Sequence, residues 1–300
     1  MKRALIAAAL MLAGCDVLVE MPPPTPVLIG PPANLADFFD CLRESGQVAV
    51  SAHRGGPAPG YAENAIATFE NTRSGAWALL EVDVNVTRDG ALVLMHDDDV
   101  ERTTNGTGPV AEMTLTQFQA LRLQDETGAT LDQAPPTLRQ ALNWAEGRAI
   151  LELDIKRNVR FEDVVREVRD ARARAMRRVV FITYSVNAAA RLAELAPEAM
   201  IYTTISNARE LDVLERRGVD LNHIVAWVGT YEPSPALIEA LTARGVEARF
   251  GMFGEGRNYA NALRAGVQIV AVDDAAEAVR DLDAADGEEG YAAMRCAANN

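Results

Sequence analysis

From residue 35 onward, short apolar runs alternate with segments whose apolar residues recur every three or four positions. The first pattern is that of a buried strand and the second that of an amphipathic helix. Their alternation is what a domain built from βα units requires. Strands are predicted at 47–53 (QVAVSAH), 78–84 (ALLEVDV), 91–96 (ALVLMH), 149–155 (AILELDI) and 178–184 (RVVFITY). Four more follow at 199–205 (AMIYTTI), 223–228 (HIVAWV), 246–251 (VEARFG) and 268–273 (QIVAVD). Helical crossovers are predicted at 162–176, 187–195, 207–217, 234–243 and 258–265. Gly218, Gly245 and Gly266 follow three of them, where a helix C-cap calls for glycine.

Nine strands is one more than a (β/α)8 ring holds. A parallel pair needs a crossover of a dozen or more residues, and only the turn around Thr87-Arg88-Asp89-Gly90 separates 78–84 from 91–96. Those two strands therefore form an antiparallel hairpin. The expected fold is α/β, a distorted TIM (β/α)8 barrel carrying an antiparallel hairpin arm (78–84/91–96). In such a barrel the active site gathers at the C-terminal ends of the strands, where His53, His96 and Asp154 fall. No internal repeat interrupts the pattern.

The ends of the chain lie outside this periodicity. Lys2 and Arg3 precede the apolar run 4–13, which is too short for a permanent membrane span. The run closes on Leu12-Ala13-Gly14-Cys15, which resembles the lipobox of bacterial lipoproteins and implies cleavage before Cys15 and lipid attachment to it. Residues 1–14 are thus expected to be a signal peptide and 15–34, rich in proline, a semi-extended tether. The barrel is assigned to 35–283, and the small, acidic stretch 284–300 to a loose tail. The expected location is the bacterial cell envelope, lipid-anchored to a membrane and facing the periplasm or exterior. Cys41 and Cys296 then lie in an oxidising setting. A disulfide between them would tie the two ends of the domain together; the alternative is two unpaired thiols.

Charge narrows the function. Lys and Arg total 29 against 43 acids, a net charge of −14. Such a chain lacks the basic footprint that nucleic acid demands. An anionic substrate would need local positive charge, from a metal and a few placed bases.

The densest chemistry lies in residues 50–106. Here His53 and His96 each end an apolar run, with Glu63, Glu81 and Asp83 between them. Glu81 and Asp83 alternate with apolar residues, so they share one strand face. Crowded carboxylates on a buried face repel one another and lose hydration, which a bound cation offsets. Two histidines beside such a cluster suit acid–base chemistry. Glu152 and Asp154 likewise share a face, and either could add a ligand. Asp97, Asp98 and Asp99 read as a charged loop, Thr103–Gly108 as a turn, and His223 as a structural histidine.

These residues resemble the glycerophosphodiester phosphodiesterases, a family of (β/α)8-type enzymes related in architecture to phosphatidylinositol-specific phospholipases C. The family's HRG…EN segment is matched by His53-Arg54-Gly55 and Glu63-Asn64, and its E-x-D strand by Glu81 and Asp83. Its HD…R-T-T-N-G-x-G segment is matched by His96, Asp97, Arg102-Thr103-Thr104-Asn105-Gly106 and Gly108. Its P-T-L and acid-x-Lys segments are matched by Pro136-Thr137-Leu138 and Asp154-Ile155-Lys156. The resemblance implies a metal-dependent phosphodiesterase that splits glycerophosphodiesters into glycerol 3-phosphate and an alcohol. His53 and His96 take the place of the acid–base pair, and Glu81, Asp83 and Asp154 that of the metal carboxylates. Arg54, Glu63 and Lys156 resemble groups that hold the phosphate or support the metal, with Glu63 a further candidate ligand and Glu152 the alternative to Asp154. The cation implied is Ca²⁺ or Mg²⁺, and the partner a small phosphodiester. Lysophospholipids or phosphoinositol-type diesters are alternative substrates, and a non-catalytic phosphodiester-binding lipoprotein is the alternative of another class.

The chain departs from the family in its C-terminal half. The W-T-x-N strand is here Ala248-Arg249-Phe250-Gly251-Met252-Phe253, and T-D-x-P is Val272-Asp273-Asp274-Ala275. Ala62 replaces the proline before Glu-Asn. Phe250, Phe253, Trp227 and Tyr184 are the candidates to line the alcohol side of the pocket.

Overall fold

A computed structural model describes residues 30–171, 174–287 and 290–299. Its nine strands are β1 (Ala49–Ala52), β2 (Leu79–Val86), β3 (Leu92–Leu94), β4 (Leu151–Ile155) and β5 (Val179–Thr183), then β6 (Met200–Thr204), β7 (Ile224–Trp227), β8 (Glu247–Met252) and β9 (Ile269–Val272). All but β3 pair in parallel in the order β1-β9-β8-β7-β6-β5-β4-β2, and a β1–β2 pairing closes the ring. The predicted hairpin lies outside the ring: β3 runs antiparallel to the far end of β2, with Val84 opposite Leu94 and Val86 opposite Leu92. Almost every strand residue is buried, as expected where helices cover the outside of a parallel sheet.

The base of the barrel is plugged by the helix Leu35–Ser45. Asn34 caps its start through Ala36 N, and Gly46, at φ 67°, ends it in a left-handed turn. Phe38 and Phe39 are fully buried, and the Phe39 ring lies 6.1 Å from that of Tyr202 inside the barrel. Arg43 donates to Gly245 O at 2.9 Å and pairs with Glu247 at the start of β8.

The C-terminus packs against this base. The helix Ala275–Asp286 runs through the boundary expected for a loose tail, and a second helix forms at Ala293–Asn299. The Tyr291 hydroxyl accepts from Val50 N at 2.7 Å and donates to Val48 O at 2.9 Å, so it stitches the segment to β1. Cys41 and Cys296 are bonded, with Cα atoms 5.7 Å apart. Small residues that read as a loose tail are here packed against the plug helix. Residues 1–14, most of the tether and Cys15 lie outside the described residues.

Between β3 and β4 the chain builds a cover on one side of the mouth. Val93, Met95, Val100, Val110 and Phe118 form a small core of their own. Two short helices, Leu115–Gln119 and Leu138–Trp144, start with capping boxes at Thr114 and Thr137. This supported loop carries His96, Asp97 and Arg102 to the rim.

Candidate active site

β1 ends at Ala52 and gives way to one tight turn, His53–Gly55, in which Arg54 adopts φ 50°. Asn64 adopts φ 58°. Non-glycine residues enter this region rarely and at a cost, so other contacts must hold them there. Arg54 N donates to Glu81 Oε2 at 2.7 Å, and Asn64 N donates to Arg54 O at 2.9 Å. The Asn64 side chain donates to Asp83 Oδ2 at 2.7 Å while its oxygen accepts from Asp83 N at 2.9 Å. Gly55 admits no side chain, since a Cβ there would meet the Phe69 ring at 2.4 Å.

Glu81 and Asp83 on β2 face Asp154 on β4, and register makes Asp83 and Asp154 direct neighbours. One carboxylate oxygen from each of the three lies within 4.8 Å of the others. Glu81 and Asp83 are buried. Burial, reinforced by the charges of Asp83 and Asp154, pushes the Glu81 carboxyl well above the usual carboxylate range. Lys156 places its ammonium 2.6 Å from Asp83 and 2.8 Å from Asp154. Burial alone would lower its pKa, but the two acids more than reverse that and raise it. The Tyr184 hydroxyl donates to the other oxygen of Asp154. Negative charge remains in excess, and every donor is oxygen; the cluster fits a hard divalent cation.

Glu63 and Glu152, the two further ligand candidates, have other partners. Both oxygens of Glu63 are taken by arginines, by Arg54 at 2.9 Å and by Arg102 at 2.7 and 2.8 Å. These arginines hold its carboxyl below the usual range even though burial, the largest single influence, pushes the other way. Glu152 accepts from Ser51 Oγ at 2.6 Å, Arg249 Nη2 at 3.0 Å and the Tyr202 hydroxyl at 3.1 Å. The guanidinium of Arg249 is stacked between the Tyr202 and Trp227 rings, 5.3 and 5.1 Å from their centroids. Sequence reasoning missed this pair, although an arginine inside the apolar run of β8 was a signal that something inside the barrel balances it.

Both histidines line the same cavity as the cluster, and each has a carboxylate at Nδ1. His53 Nδ1 lies 2.9 Å from Asp273 Oδ1, and its ring is 4.7 Å from that of Phe253. Asp273 also accepts from Gly254 N at 2.8 Å, and the His53 hydrogen bond is the main reason its pKa is lowered. His96 Nδ1 lies 2.6 Å from Asp97 Oδ1. Asp97 is lowered to about 2, chiefly by the hydrogen bond from Arg102. A carboxylate at Nδ1 favours the tautomer that leaves Nε2 available as a base. Asp97, Arg102, Asp273 and Asn64 escaped sequence reasoning as functional positions; only their places in or near the matched motifs pointed to them.

A cavity of about 200 Å³ is lined by both histidines and all three carboxylates, with Tyr184, Trp227 and Phe253 on its apolar side. Phe250 does not line it; it points the other way along β8, into the hydrophobic core. A second, wider groove of about 860 Å³ begins at His53 and Arg54.

Residues 53–276 match the model of the glycerophosphoryl diester phosphodiesterase family. The chain belongs to that family. Human glycerophosphodiester phosphodiesterase 1 is 36% identical over 109 residues, a match covering 34% of this chain and 31% of the human one. The chain thus spans under half the length of the curated relatives heading the comparison. Solved structures match further. A glycerophosphoryl diester phosphodiesterase from Parabacteroides distasonis is 30% identical, with a TM-score of 0.77 over 85% of this chain and 94% of the other. A phosphodiesterase from Oleispira antarctica, solved with its product sn-glycerol-3-phosphate, shares the fold at 21% identity and a TM-score of 0.62, over 80% and 99% of the two chains.

Proposed function

We propose that this protein hydrolyses glycerophosphodiesters to glycerol 3-phosphate and an alcohol, with His53 and His96 as its acid–base pair. The observation that carries the reading is the convergence of both histidines, the buried Glu81 and Asp83, and the half-buried Asp154 on one small cavity. The product held by the Oleispira phosphodiesterase supports the same chemistry. The glycerol hydroxyl beside the phosphate loses its proton to one histidine and attacks phosphorus. The bond to the alcohol breaks as the other histidine protonates the departing oxygen. Water then opens the cyclic phosphate, and the histidines exchange roles, which returns each to its starting state. Arg54 holds the phosphate oxygens as their charge grows. A Ca²⁺ or Mg²⁺ ion held by Glu81, Asp83 and Asp154 would help neutralise that charge. Lys156 fixes the spacing of Asp83 and Asp154 and adds its own positive charge.

The lipid anchor belongs to the same proposal: Cys15 carries acyl chains, and the tether holds the domain in the cell envelope. Two or three chains suffice for stable anchoring, where one is marginal. The test of function is release of glycerol 3-phosphate from glycerophosphocholine, before and after chelation and add-back of Ca²⁺ or Mg²⁺. Turnover that survives complete removal of metal overturns the cation assignment, and no release under any condition overturns the activity. Mass spectrometry of the mature N-terminus tests the anchor: an unmodified start other than Cys15 disproves it.

A further inference from the structure

We propose that Arg102 is a positioning residue that locks the His96 imidazole and the Arg54 guanidinium into one unit. The inference rests on the acid–base and phosphate-binding roles given above to those two side chains. Along one edge of its guanidinium, Arg102 donates to Asp97 through Nε at 2.6 Å and Nη2 at 3.2 Å. Along another it donates to Glu63 through Nη1 at 2.7 Å and Nη2 at 2.8 Å. Asp97 in turn meets His96 Nδ1 at 2.6 Å, and Glu63 accepts from Arg54 Nη1 at 2.9 Å. Five side chains therefore form an unbroken row from the acid–base group to the phosphate anchor.

The row joins two loops that also meet away from the site, where Gly60 N donates to Asp125 at 2.7 Å and Ala62 and Ala65 pack on Leu123. His96, Asp97 and Arg102 belong to the loop after β3, which stands on its own small core, whereas Arg54 and Glu63 belong to the loop after β1. Arg54 needs the support, since its Nε is buried without a hydrogen-bond partner and lies 3.9 Å from Asp83. Glu63 is the residue that fixes the other end of its guanidinium. Only arginine can serve both carboxylates with a planar fork; a lysine offers a single point charge. The Arg102 side chain is 47% exposed, and exposed ion pairs contribute little to stability. Its value is orientation, and misplacing a reacting group by an ångström can cost about a hundredfold in rate.

The test is steady-state kinetics on glycerophosphocholine with Arg102→Gln and Arg102→Lys, beside thermal denaturation of each variant. Arg102→Gln should lower kcat by about ten- to a hundredfold while the variant stays folded at the assay temperature, and Arg102→Lys should recover only part of the loss. Once Asp97→Asn and Glu63→Gln are both present, Arg102→Gln should add almost nothing, because coupled residues are not additive. A kcat within twofold of wild type in folded Arg102→Gln, or a full, independent loss in the triple variant, overturns the proposal. A readout free of turnover separates this from failure of the phosphodiesterase reading. The ¹⁵N signal of His96 Nδ1 should move in Arg102→Gln, and in the more conservative Arg102→Lys. An unmoved signal overturns the proposal even if the wild-type protein proves inactive on this substrate.

Discussion

The barrel buries acids at two levels, and the levels differ in what balances them. At the lower level Glu152 is satisfied from within: Ser51, Tyr202 and Arg249 donate to it, and two aromatic rings enclose the arginine. At the upper level Asp83 and Asp154 share one lysine, and Glu81 beside them, held only by Arg54 N among the described residues, is forced well above its ordinary pKa. The same residue types on the same strands thus serve as structure below and as a ligand cage above. A buried charge with its own partner is tolerated, and removing that partner is what costs the fold most. A buried charge left in excess calls for something from solution.

The largest expected effect separates the levels by turnover. His53→Ala and His96→Ala touch only the upper one, and each should lower kcat by roughly 10²–10⁴-fold, the usual worth of acid–base assistance. Fold and cation binding should persist, as read by circular dichroism and calorimetry. Near-wild-type turnover in either variant would remove that histidine from the acid–base pair.

The sharpest test of the contrast exchanges charge for amide at each level. Asp154→Asn keeps shape and hydrogen bonding but removes one ligand charge, so Ca²⁺ or Mg²⁺ affinity should weaken about tenfold or more, with the fold intact. Glu152→Gln strands the buried Arg249, and should cost about 3 kcal/mol of stability with cation affinity close to wild type. Titration calorimetry and urea denaturation on the two variants give the ranking. The reverse order would transfer the ligand role to Glu152.

How much of this was legible in the chain follows from range. The strands were readable because each is a local apolar run, and the hairpin because its turn is too short for a crossover. Glu81 and Asp83 were readable because alternation is local, and Asp154 because its spacing from Lys156 matched a motif. The partners of Glu152 were not, since Ser51, Tyr202 and Arg249 come from three other strands. Asp273 meets His53 from 220 residues away, and its place in the altered T-D-x-P segment marks the position without specifying that contact. The C-terminal segment misled for the opposite reason: its composition looked loose, while Tyr291 and Cys296 tie it down from afar.

A disulfide at the base, remote from both acid levels, should affect stability alone. Reducing Cys41–Cys296 releases a long loop into the unfolded state and should lower stability by about 2–4 kcal/mol. Turnover by the protein that remains folded should not change. A loss of kcat matching Cys41→Ser to the histidine variants would show that the base and mouth are mechanically linked.

Acid should reveal Asp97 in the same upper region. Its folded pKa, about 2, lies below the ordinary 3.8. Between those values the unfolded chain binds more protons than the native one, so stability is present above about pH 4 and falls as pH drops toward 2. Asp97→Asn should flatten that fall between pH 6 and pH 3, measured as the urea midpoint at each. An unchanged slope would mean that the hydrogen bonds from Arg102 and His96 do not hold the charge in solution.

The smallest effect concerns a third set of acids at the surface, which form no ion pair among the described residues. Glu126, Glu255, Asp274 and Glu277 line the wide groove that opens at His53 and Arg54. On the proposed reading the 200 Å³ cavity under both histidines takes the glycerol half of the diester and the groove takes the alcohol, which reverses the expectation that Tyr184, Trp227 and Phe253 flank the alcohol. Solvated carboxylates act there through their field, and each is worth only about 0.2–1 kcal/mol. Together they should favour a cationic alcohol over a neutral one by a few fold, about the factor such energies allow. The ratio of kcat/KM for glycerophosphocholine over glycerophosphoinositol reads this preference. Glu255→Gln with Glu277→Gln should move the ratio toward one, and so should raising salt until the screening length falls to roughly 3 Å. A preference that ignores both charge and salt would assign it to the shape of the groove, and a ratio already at one would place the alcohol elsewhere.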